Sequence, residues 1–203
     1  MPTLSAELLT ALVVFAFVSS ITPGPNNTML MASGVNFGVR RSARHMAGVT
    51  LGFFVLLLAA GLALGGLFAA WPALHGVLKV VGAVYLLWLA WKLARSGGMA
   101  GGAAPARPQG FWQAVAFQWV NPKAWAMALG GVTAYALPDH YVANVVLVDL
   151  VFCVVNLPCI FAWTAFGAAL RGVLADPARL KIFNWTMAGL LTLSVAAILL
   201  HQP

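Results

Sequence analysis

Charge is scarce in this sequence. Asp, Glu, Lys and Arg make up only 7% of its 203 residues, whereas 62% are hydrophobic and the mean hydropathy is +0.93. A soluble domain is about 45–50% apolar and about 25% charged. The composition therefore excludes a soluble globular protein and predicts an integral membrane protein. No polar stretch is long enough to form a second domain.

Residues that carry catalysis or bind metals are also few. The chain has four acidic residues, four histidines and two cysteines, and it contains no Ser-His-Asp constellation, phosphate-binding loop or zinc-binding motif. We predict that the protein is not an enzyme, has no catalytic residues and needs neither a cofactor nor a metal. Cys153 and Cys159 lie about 9 Å apart along one predicted helix, which prevents a disulfide between them.

The basic residues give the chain a net charge of +7, but their positions argue against a nucleic-acid partner. They cluster between apolar segments, without the interleaved aromatic residues of a nucleic-acid platform. Loops rich in Lys and Arg face the cytoplasm. No Lys or Arg precedes Arg40, so the first apolar segment is expected to be a retained membrane helix and not a signal peptide. The clusters are Arg40, Arg41 and Arg44; Lys92, Arg95 and Arg107; and Arg171, Arg179 and Lys181.

Six apolar segments alternate with these loops and with short turns. A membrane-spanning helix needs about 20 apolar residues, so each segment is long enough for one crossing. The predicted fold class is an all-α membrane protein of six transmembrane helices in a single polytopic domain, residues 1–203. The segments are Leu4–Ser33, Met46–Ala70, Leu74–Leu93, Phe111–Leu137, Val142–Leu170 and Ile182–Leu200.

A stretch rich in Gly and Pro divides the chain into two halves. We expect repeat one over residues 1–94, a cytoplasmic linker over 95–110 and repeat two over 111–203. Because each half contains three helices, the two halves are inverted with respect to each other in the membrane. With the basic loops in the cytoplasm, both termini are expected on the opposite side.

Prolines interrupt the first segment of each half. In the first half, Thr22-Pro23-Gly24-Pro25-Asn26-Asn27 cannot continue a helix, because Pro23 and Pro25 lack amide protons and free the carbonyls of Ser19 and Ile21. A continuous helix through this region would be about 50 Å long, against a hydrocarbon core of about 30 Å. The stretch is expected to join two shorter helices, the second either re-entrant or close to the cytoplasmic face.

The residues at this first interruption are suited to bind an anion. Unpaired amides and the positive end of a helix dipole near Gly24, Asn26 and Asn27 attract a carboxylate. The alternative is a simple proline kink with self-satisfied caps.

The second interruption is Asn121-Pro122-Lys123, where Pro122 frees the carbonyl of Gln118. Lys123 lies about a dozen residues inside its segment, and a charge at such depth normally faces the interior of the bundle. It could bind a substrate carboxylate, pair with an internal acid or extend to the cytoplasmic interface. A matched pair of interrupted segments in two halves is the best sequence indicator of a transporter site.

Two residues of the fifth segment complete the candidate site. Asp149, the only carboxylate within a predicted span, could bind a substrate ammonium, carry a coupling proton or neutralise Lys123, and a static ion pair is the structural alternative. Asn156 precedes Pro158 in a milder interruption that indicates a kink or a site equally. The candidate substrate-binding residues are Thr22, Pro23, Gly24, Pro25, Asn26, Asn27, Asn121, Pro122, Lys123, Asp149 and Asn156.

These motifs resemble those of the LysE/RhtB family of bacterial amino-acid exporters. The stretch from Thr22 to Asn27 is similar to the amino-terminal signature of that family, and Asn121-Pro122-Lys123 resembles the signature on its fourth helix. The similarity extends over nearly the whole chain. Trp88-Leu89-Ala90-Trp91-Lys92, together with Phe111-Trp112, is most similar to the branch that exports cysteine and O-acetylserine.

The resemblance implies a secondary transporter of six helices in two inverted halves, with both termini in the periplasm. It would export amino acids or their small derivatives across the bacterial inner membrane in exchange for protons. From its position in the fifth segment, we expect Asp149 to carry the coupling proton. The expected partners are the substrate and the lipid bilayer, and faces rich in small residues suit a homodimer. The alternatives are a transmembrane thiol-disulfide oxidoreductase that uses the two cysteines, and a passive small-solute channel.

Overall fold

The protein is helical throughout the part of the chain that the computed structural model describes. That part comprises residues 4–64, 107–137 and 140–200, with isolated helical positions between residues 77 and 95. The all-α prediction is confirmed over these ranges. The helices, numbered here in chain order, are α1 (Ala6–Ile21), α2 (Pro25–Ala59), α3 (Phe111–Val120), α4 (Pro122–Tyr135), α5 (Tyr141–Leu170) and α6 (Pro177–Leu200).

Helices end at both of the predicted proline interruptions. α1 ends at Ile21, and Thr22 and Gly24 have extended backbones before Pro25 begins α2. Asn121, also extended, separates α3 from α4, which begins at Pro122. Pro25 and Pro122 each occupy the first turn of a new helix, where a missing amide proton costs no hydrogen bond. The two predicted breaks are therefore confirmed.

Proline has a different effect in α5. This helix continues without a break through Pro158. The milder interruption expected at Asn156-Leu157-Pro158 therefore does not end a helix.

The largest departure from the predicted boundaries is in α2. The first predicted segment ends near Ser33 and the next begins at Met46, with the first arginine cluster in a loop between them. In the structure these residues are helical on both sides of Gly38, whose φ of 75° and ψ of 168° break the helix at one position. The loop prediction is wrong because glycine adopts this left-handed φ without steric cost and turns the chain within a single residue.

Gly38 divides α2 into two arms, residues 25–37 and 39–59. Two hydrogen bonds stabilise the turn between them. Ser42 Oγ donates to the Gly38 carbonyl oxygen at 2.8 Å, and Ser33 Oγ shares a hydrogen bond of 2.9 Å with His45 Nδ1 across the turn. The arginines of the first cluster thus lie at the start of the second arm.

Two helices are long and apolar enough to span a membrane among the described residues. They are Pro25–Leu62, in which a π-helical turn at Ala60–Leu64 continues α2, and Tyr141–Leu170. α1 is apolar but shorter, at 16 residues. The third predicted segment and most of the linker lie outside the described residues.

α6 begins at Pro177, earlier than the predicted segment at Ile182. Asp176 precedes the helix, and its Oδ1 accepts hydrogen bonds from the backbone N–H groups of Ala178 and Arg179. Such an N-cap satisfies amides that have no partner within the helix. These two bonds, with the Arg179 amide contributing most, hold the pKa of Asp176 below its ordinary value.

Glycines allow both arms of α2 to approach their neighbours closely. On the first arm, a Cβ at Gly34 would collide with the carbonyl oxygen of Thr164 in α5, and one at Gly167 would collide with that of Met31. On the second arm, a Cβ at Gly48 or at Gly52 would collide with the backbone of Phe111 or of Val115 in α3.

The apolar core lies where α1, the second arm of α2, α4 and α5 meet. Leu12, Leu56, Ala128 and Phe152, one from each, are fully buried there. Polar residues are buried beside this core at the helix breaks. Ser20, Asn27, Gln118 and Asn121 each expose 4% or less of their surface, so each break has a buried side, while Thr22 and Pro23 at the first break are exposed.

Candidate functional site

The carbonyl groups at the end of α1 accept hydrogen bonds from distant side chains. Asn27 Nδ2 donates to the carbonyl oxygens of Ser20 and Thr22, at 2.7 and 2.8 Å. Trp163 Nε1, from α5, donates to the carbonyl oxygen of Ile21 at 3.1 Å. These donors replace the amide protons that a continuing helix would have supplied, as irregular backbone within a membrane requires.

Lys123 reaches from the second break into the first. Its Nζ donates to the Thr22 carbonyl oxygen at 2.6 Å, to Thr22 Oγ1 at 3.0 Å and to the Pro23 carbonyl oxygen at 3.4 Å. Gly24 leaves room for it, because a Cβ there would lie 2.7 Å from Lys123 Cδ. This arrangement fits a role for Lys123 inside the helix bundle better than an extension to the cytoplasmic interface.

A second contact joins the breaks through a pair of amides. Asn26 Nδ2 donates to Gln118 Oε1 at 2.8 Å, and Gln118 Nε2 donates to Asn26 Oδ1 at 3.2 Å. Gln118 Nε2 also donates to the Ala114 carbonyl oxygen at 3.0 Å, and its side chain is fully buried. The start of α2 and the end of α3 are thereby held together.

A cavity of about 30 Å³, lined by both polar and apolar side chains, lies between the two breaks. A water molecule needs about 10–15 Å³ of such space, so the cavity has room for about two. Six of the predicted substrate-binding residues line it: Gly24, Asn26, Asn27, Asn121, Lys123 and Asn156. The other lining residues are Ser19, Ser20, Phe53, Ala124, Met127 and Ile160. The structure thus brings residues from α1, α2, α4 and α5 to one place.

Two buried polar side chains at this cavity are suited to bind a ligand. Ser20 is 3% exposed, and its Oγ has no hydrogen-bond partner among the described residues. Asn156, on α5, is 7% exposed and also lines the cavity. Buried polar groups are usually hydrogen-bonded, so both are available to a ligand or to water.

Asp149 lies outside the lining of this cavity. It is on α5, two turns before Asn156 and about 10 Å away along the axis, on the same face of the helix. The residue is fully buried, and neither carboxyl oxygen has a hydrogen-bond partner among the described residues. Of the alternatives considered for Asp149, a direct ion pair with Lys123 is not present. An ionised carboxylate in this position is costly, so it requires a proton, a cation or water.

Comparison with known proteins identifies the group to which these features belong. The model of the LysE type translocator family matches residues 17–203. The chain belongs to the LysE family. LysE-type proteins are membrane translocators and not enzymes, which confirms the predicted family and the predicted absence of enzymatic activity.

Among the relatives of this LysE protein are three bacterial cysteine/O-acetylserine efflux proteins. That of Salmonella typhimurium is 38% identical over 141 residues, covering 69% of this chain and 71% of the relative. That of Escherichia coli K12 is 36% identical over 137 residues, covering 67% and 69%. That of Klebsiella pneumoniae is 28% identical over 199 residues, covering 98% and 100%. No solved structure matches the chain.

Gln118, which bonds Asn26 across the breaks, and Ser20, which lines the cavity, were not among the predicted substrate-binding residues. The side chain of Gln118 could have been predicted as a site residue, because it is an amide in an otherwise apolar run before Pro122. The missing amide proton of Pro122 indicated a role only for the Gln118 carbonyl. Ser20 gives no signal in the sequence, because serine in an apolar helix commonly bonds to the preceding turn. Thr22, Pro23, Pro25 and Pro122 lie at the breaks without lining the cavity.

Proposed function

We propose that this LysE-family protein exports amino acids or their small derivatives from the cytoplasm across the bacterial inner membrane, coupled to protons. The observation that carries the proposal is the cavity at which the two proline breaks converge, lined by asparagine amides and by Lys123. Broken helices that meet at a polar cavity are the usual form of a substrate site in secondary transporters. The names of the relatives favour cysteine and O-acetylserine as the first substrates to test.

The proposed architecture is six transmembrane helices in two inverted repeats, 1–94 and 111–203, with both termini in the periplasm. Its support is the similarity of the two breaks. Each places a proline in the first turn of a new helix, after an extended residue, and Lys123 bonds across from one break to the other. Small-residue faces also suit a homodimer.

The cavity fits an alternating-access transporter in a closed conformation. With room for about two water molecules, it is too small for any amino acid, so the helices around it must separate before substrate binds. The amides around Gly24 to Asn27 and Lys123 are the groups available to the substrate carboxylate.

Asp149 is proposed to carry the coupling proton. It is the one buried carboxyl among the described residues, and it lies two turns from the cavity on the helix that also carries Asn156. Intramembrane carboxyl groups without a fixed partner are the usual proton carriers of pumps and transporters.

Reconstitution of the purified protein into liposomes tests this function. An imposed pH difference should drive accumulation of cysteine, O-acetylserine, threonine, leucine or a basic amino acid against its concentration gradient. Equilibration without accumulation would indicate a passive channel. Failure to move any of these compounds would refute the proposed function.

A further inference from the structure

The Lys123 side chain occupies a set of three oxygen atoms that suits an ammonium group. The carbonyl and hydroxyl oxygens of Thr22 and the carbonyl oxygen of Pro23 lie 2.6, 3.0 and 3.4 Å from Nζ. An ammonium has three donors and no acceptor. The Thr22 hydroxyl donates its own proton to the Ser19 carbonyl oxygen at 3.0 Å, which leaves its lone pairs directed at Nζ.

The positive charge of Lys123 is stabilised by α1 and not by α4, the helix that carries the lysine. Lys123 lies in the first turn of α4, and its backbone amide is capped by Asn121 Oδ1 at 3.2 Å. A cation at a helix N-terminus is unfavourable, whereas one at a C-terminus is stabilised. The favourable partner of the Lys123 charge is therefore the C-terminal end of α1. No carboxylate bonds to Lys123 among the described residues, so within that part of the chain it is dipoles that balance its charge.

We propose that the oxygen cluster of Thr22 and Pro23 is the subsite for the α-ammonium group of the substrate, and that Lys123 occupies it as an internal substitute until substrate binds. This inference rests on the proposed function and specifies its substrate class. The arriving ammonium takes the three oxygens, and the substrate carboxylate pairs with the displaced Nζ. Each hydrogen bond lost by Lys123 is replaced, and the lysine gains a counter-ion.

The position of the cluster beside the cavity supports this exchange. Gly24 and Lys123 both line the cavity, so the space vacated by Nζ joins that available to the substrate. Ser20, whose Oγ has no partner among the described residues, and Asn156, which lines the cavity, are available to the remaining substrate atoms. Asp149 is then not needed for the ammonium and is left for the proton.

Only a zwitterion can both fill the oxygen cluster with its ammonium group and pair its carboxylate with the displaced Lys123. An amine without a carboxylate displaces Lys123 and leaves its charge unpaired. A carboxylic acid without an ammonium pairs with Lys123 and leaves the oxygen cluster empty. The wild-type protein should therefore prefer an amino acid over its decarboxylated amine and over its deaminated acid by at least about tenfold each, the factor given by one charge-assisted hydrogen bond.

The test compares binding of cysteine, cysteamine and 3-mercaptopropionate to wild-type protein and to Lys123→Gln, by competition against transport of radiolabelled substrate and by thermal shift. If the wild-type protein carries leucine and not cysteine, the three test compounds are leucine, its amine 3-methylbutylamine and its acid 4-methylpentanoate. In Lys123→Gln no ammonium group occupies the oxygen cluster, and no lysine needs neutralising. The amine should then bind as well as the amino acid, so the tenfold preference should disappear or reverse.

Thr22→Val, with Thr22→Ser as its matched control, gives an independent measurement if Lys123→Gln does not fold. Loss of the hydroxyl should weaken binding of the amino acid and of the amine several-fold and leave binding of the acid unchanged. Thr22→Ser keeps a hydroxyl and should bind all three compounds as the wild type does. A Lys123→Gln protein that keeps the wild-type preference, or a Thr22→Val protein that binds all three normally, would overturn the inference. Wild-type protein that carries no amino acid would instead refute the proposed function.

Discussion

Asn26 and Gln118 bond each other through both atoms of their amide groups, at 2.8 and 3.2 Å. The two residues come from opposite halves of the chain, one just after the first break and the other just before the second. Separation of the breaks would therefore cost two hydrogen bonds and leave the Asn26 amide and Gln118 Oε1 without these partners. The pair is well placed to hold the cavity closed when it is empty.

Replacement of Gln118 by Leu should destabilise the closed protein. The change removes both bonds and leaves the Asn26 amide unsatisfied, at a cost of about 1–3 kcal/mol, measurable as a lower thermal unfolding midpoint in detergent. Gln113→Leu is the matched control, since Gln113 is exposed and bonds only to the Gly110 amide in the same turn. Equal effects of the two changes would contradict a role for the amide pair. The double variant Asn26→Leu/Gln118→Leu should cost less than the sum of the single changes.

Asp149→Asn should uncouple transport from the proton gradient. Asparagine keeps the size of the side chain but cannot release or take up a proton. Exchange of labelled for unlabelled substrate at equal pH should persist, while accumulation driven by a pH step should be lost. Both rates are measured in the same proteoliposomes.

A suitable control is Asp176→Asn, at the start of α6. Asparagine is also a good N-cap, so both forms of transport should remain. Because backbone hydrogen bonds keep the pKa of Asp176 low, its carboxylate is charged near neutral pH and does not contribute to the pH dependence. Unchanged pH-driven accumulation in Asp149→Asn would refute the coupling role.

Substitutions of two asparagines at the cavity should have different effects, one on stability and the other on transport. Asn27→Ala loses two hydrogen bonds to the end of α1 and should lower the free energy of unfolding by about 1–3 kcal/mol. Asn156→Ala loses none within the described protein, so stability should change by less than about 1 kcal/mol while transport falls about tenfold. Unfolding in detergent and initial transport rates measure the two effects. Normal transport by Asn156→Ala would place this residue outside the substrate site.

The close contact between α2 and α5 predicts a contrast between two nearby glycines. Gly167→Ala would force a methyl group against the backbone of Met31 and should destabilise the protein by about 1–3 kcal/mol. Gly172→Ala adds the same methyl group where no heavy atom lies within 4 Å, at a helical backbone conformation, and should be neutral or slightly stabilising. Thermal unfolding of the two variants measures the difference, and a harmless Gly167→Ala would show that the helices can move apart at little cost.

The sequence predicted the breaks well because proline acts locally. The missing amide protons of Pro25 and Pro122 fix where a helix cannot continue, whatever surrounds them. Gly38 was missed for the opposite reason. A glycine in an amphipathic stretch carries no sign of the φ that it adopts, and the arginines beside it have the composition of a loop although they lie in a helix.

Contacts between the halves were beyond prediction. The sequence identified Lys123 as an internal charge and Asn26 as a polar residue at a break, but their partners lie about a hundred positions away along the chain. Nothing in a single sequence specifies such a pairing. The same holds for Asp149, whose position two turns from Asn156 follows from helical spacing, whereas its lack of a bond to Lys123 does not.

Close packing lies on both sides of the turn at Gly38. The first arm of α2 contacts α5 through Gly34 and Gly167, and the second arm contacts α3 through Gly48 and Gly52. The Ser33–His45 hydrogen bond crosses the turn between the two arms. These residues are distinct from those of the proposed substrate site, so we expect substitutions at the turn to change the speed of transport and to leave its selectivity unchanged.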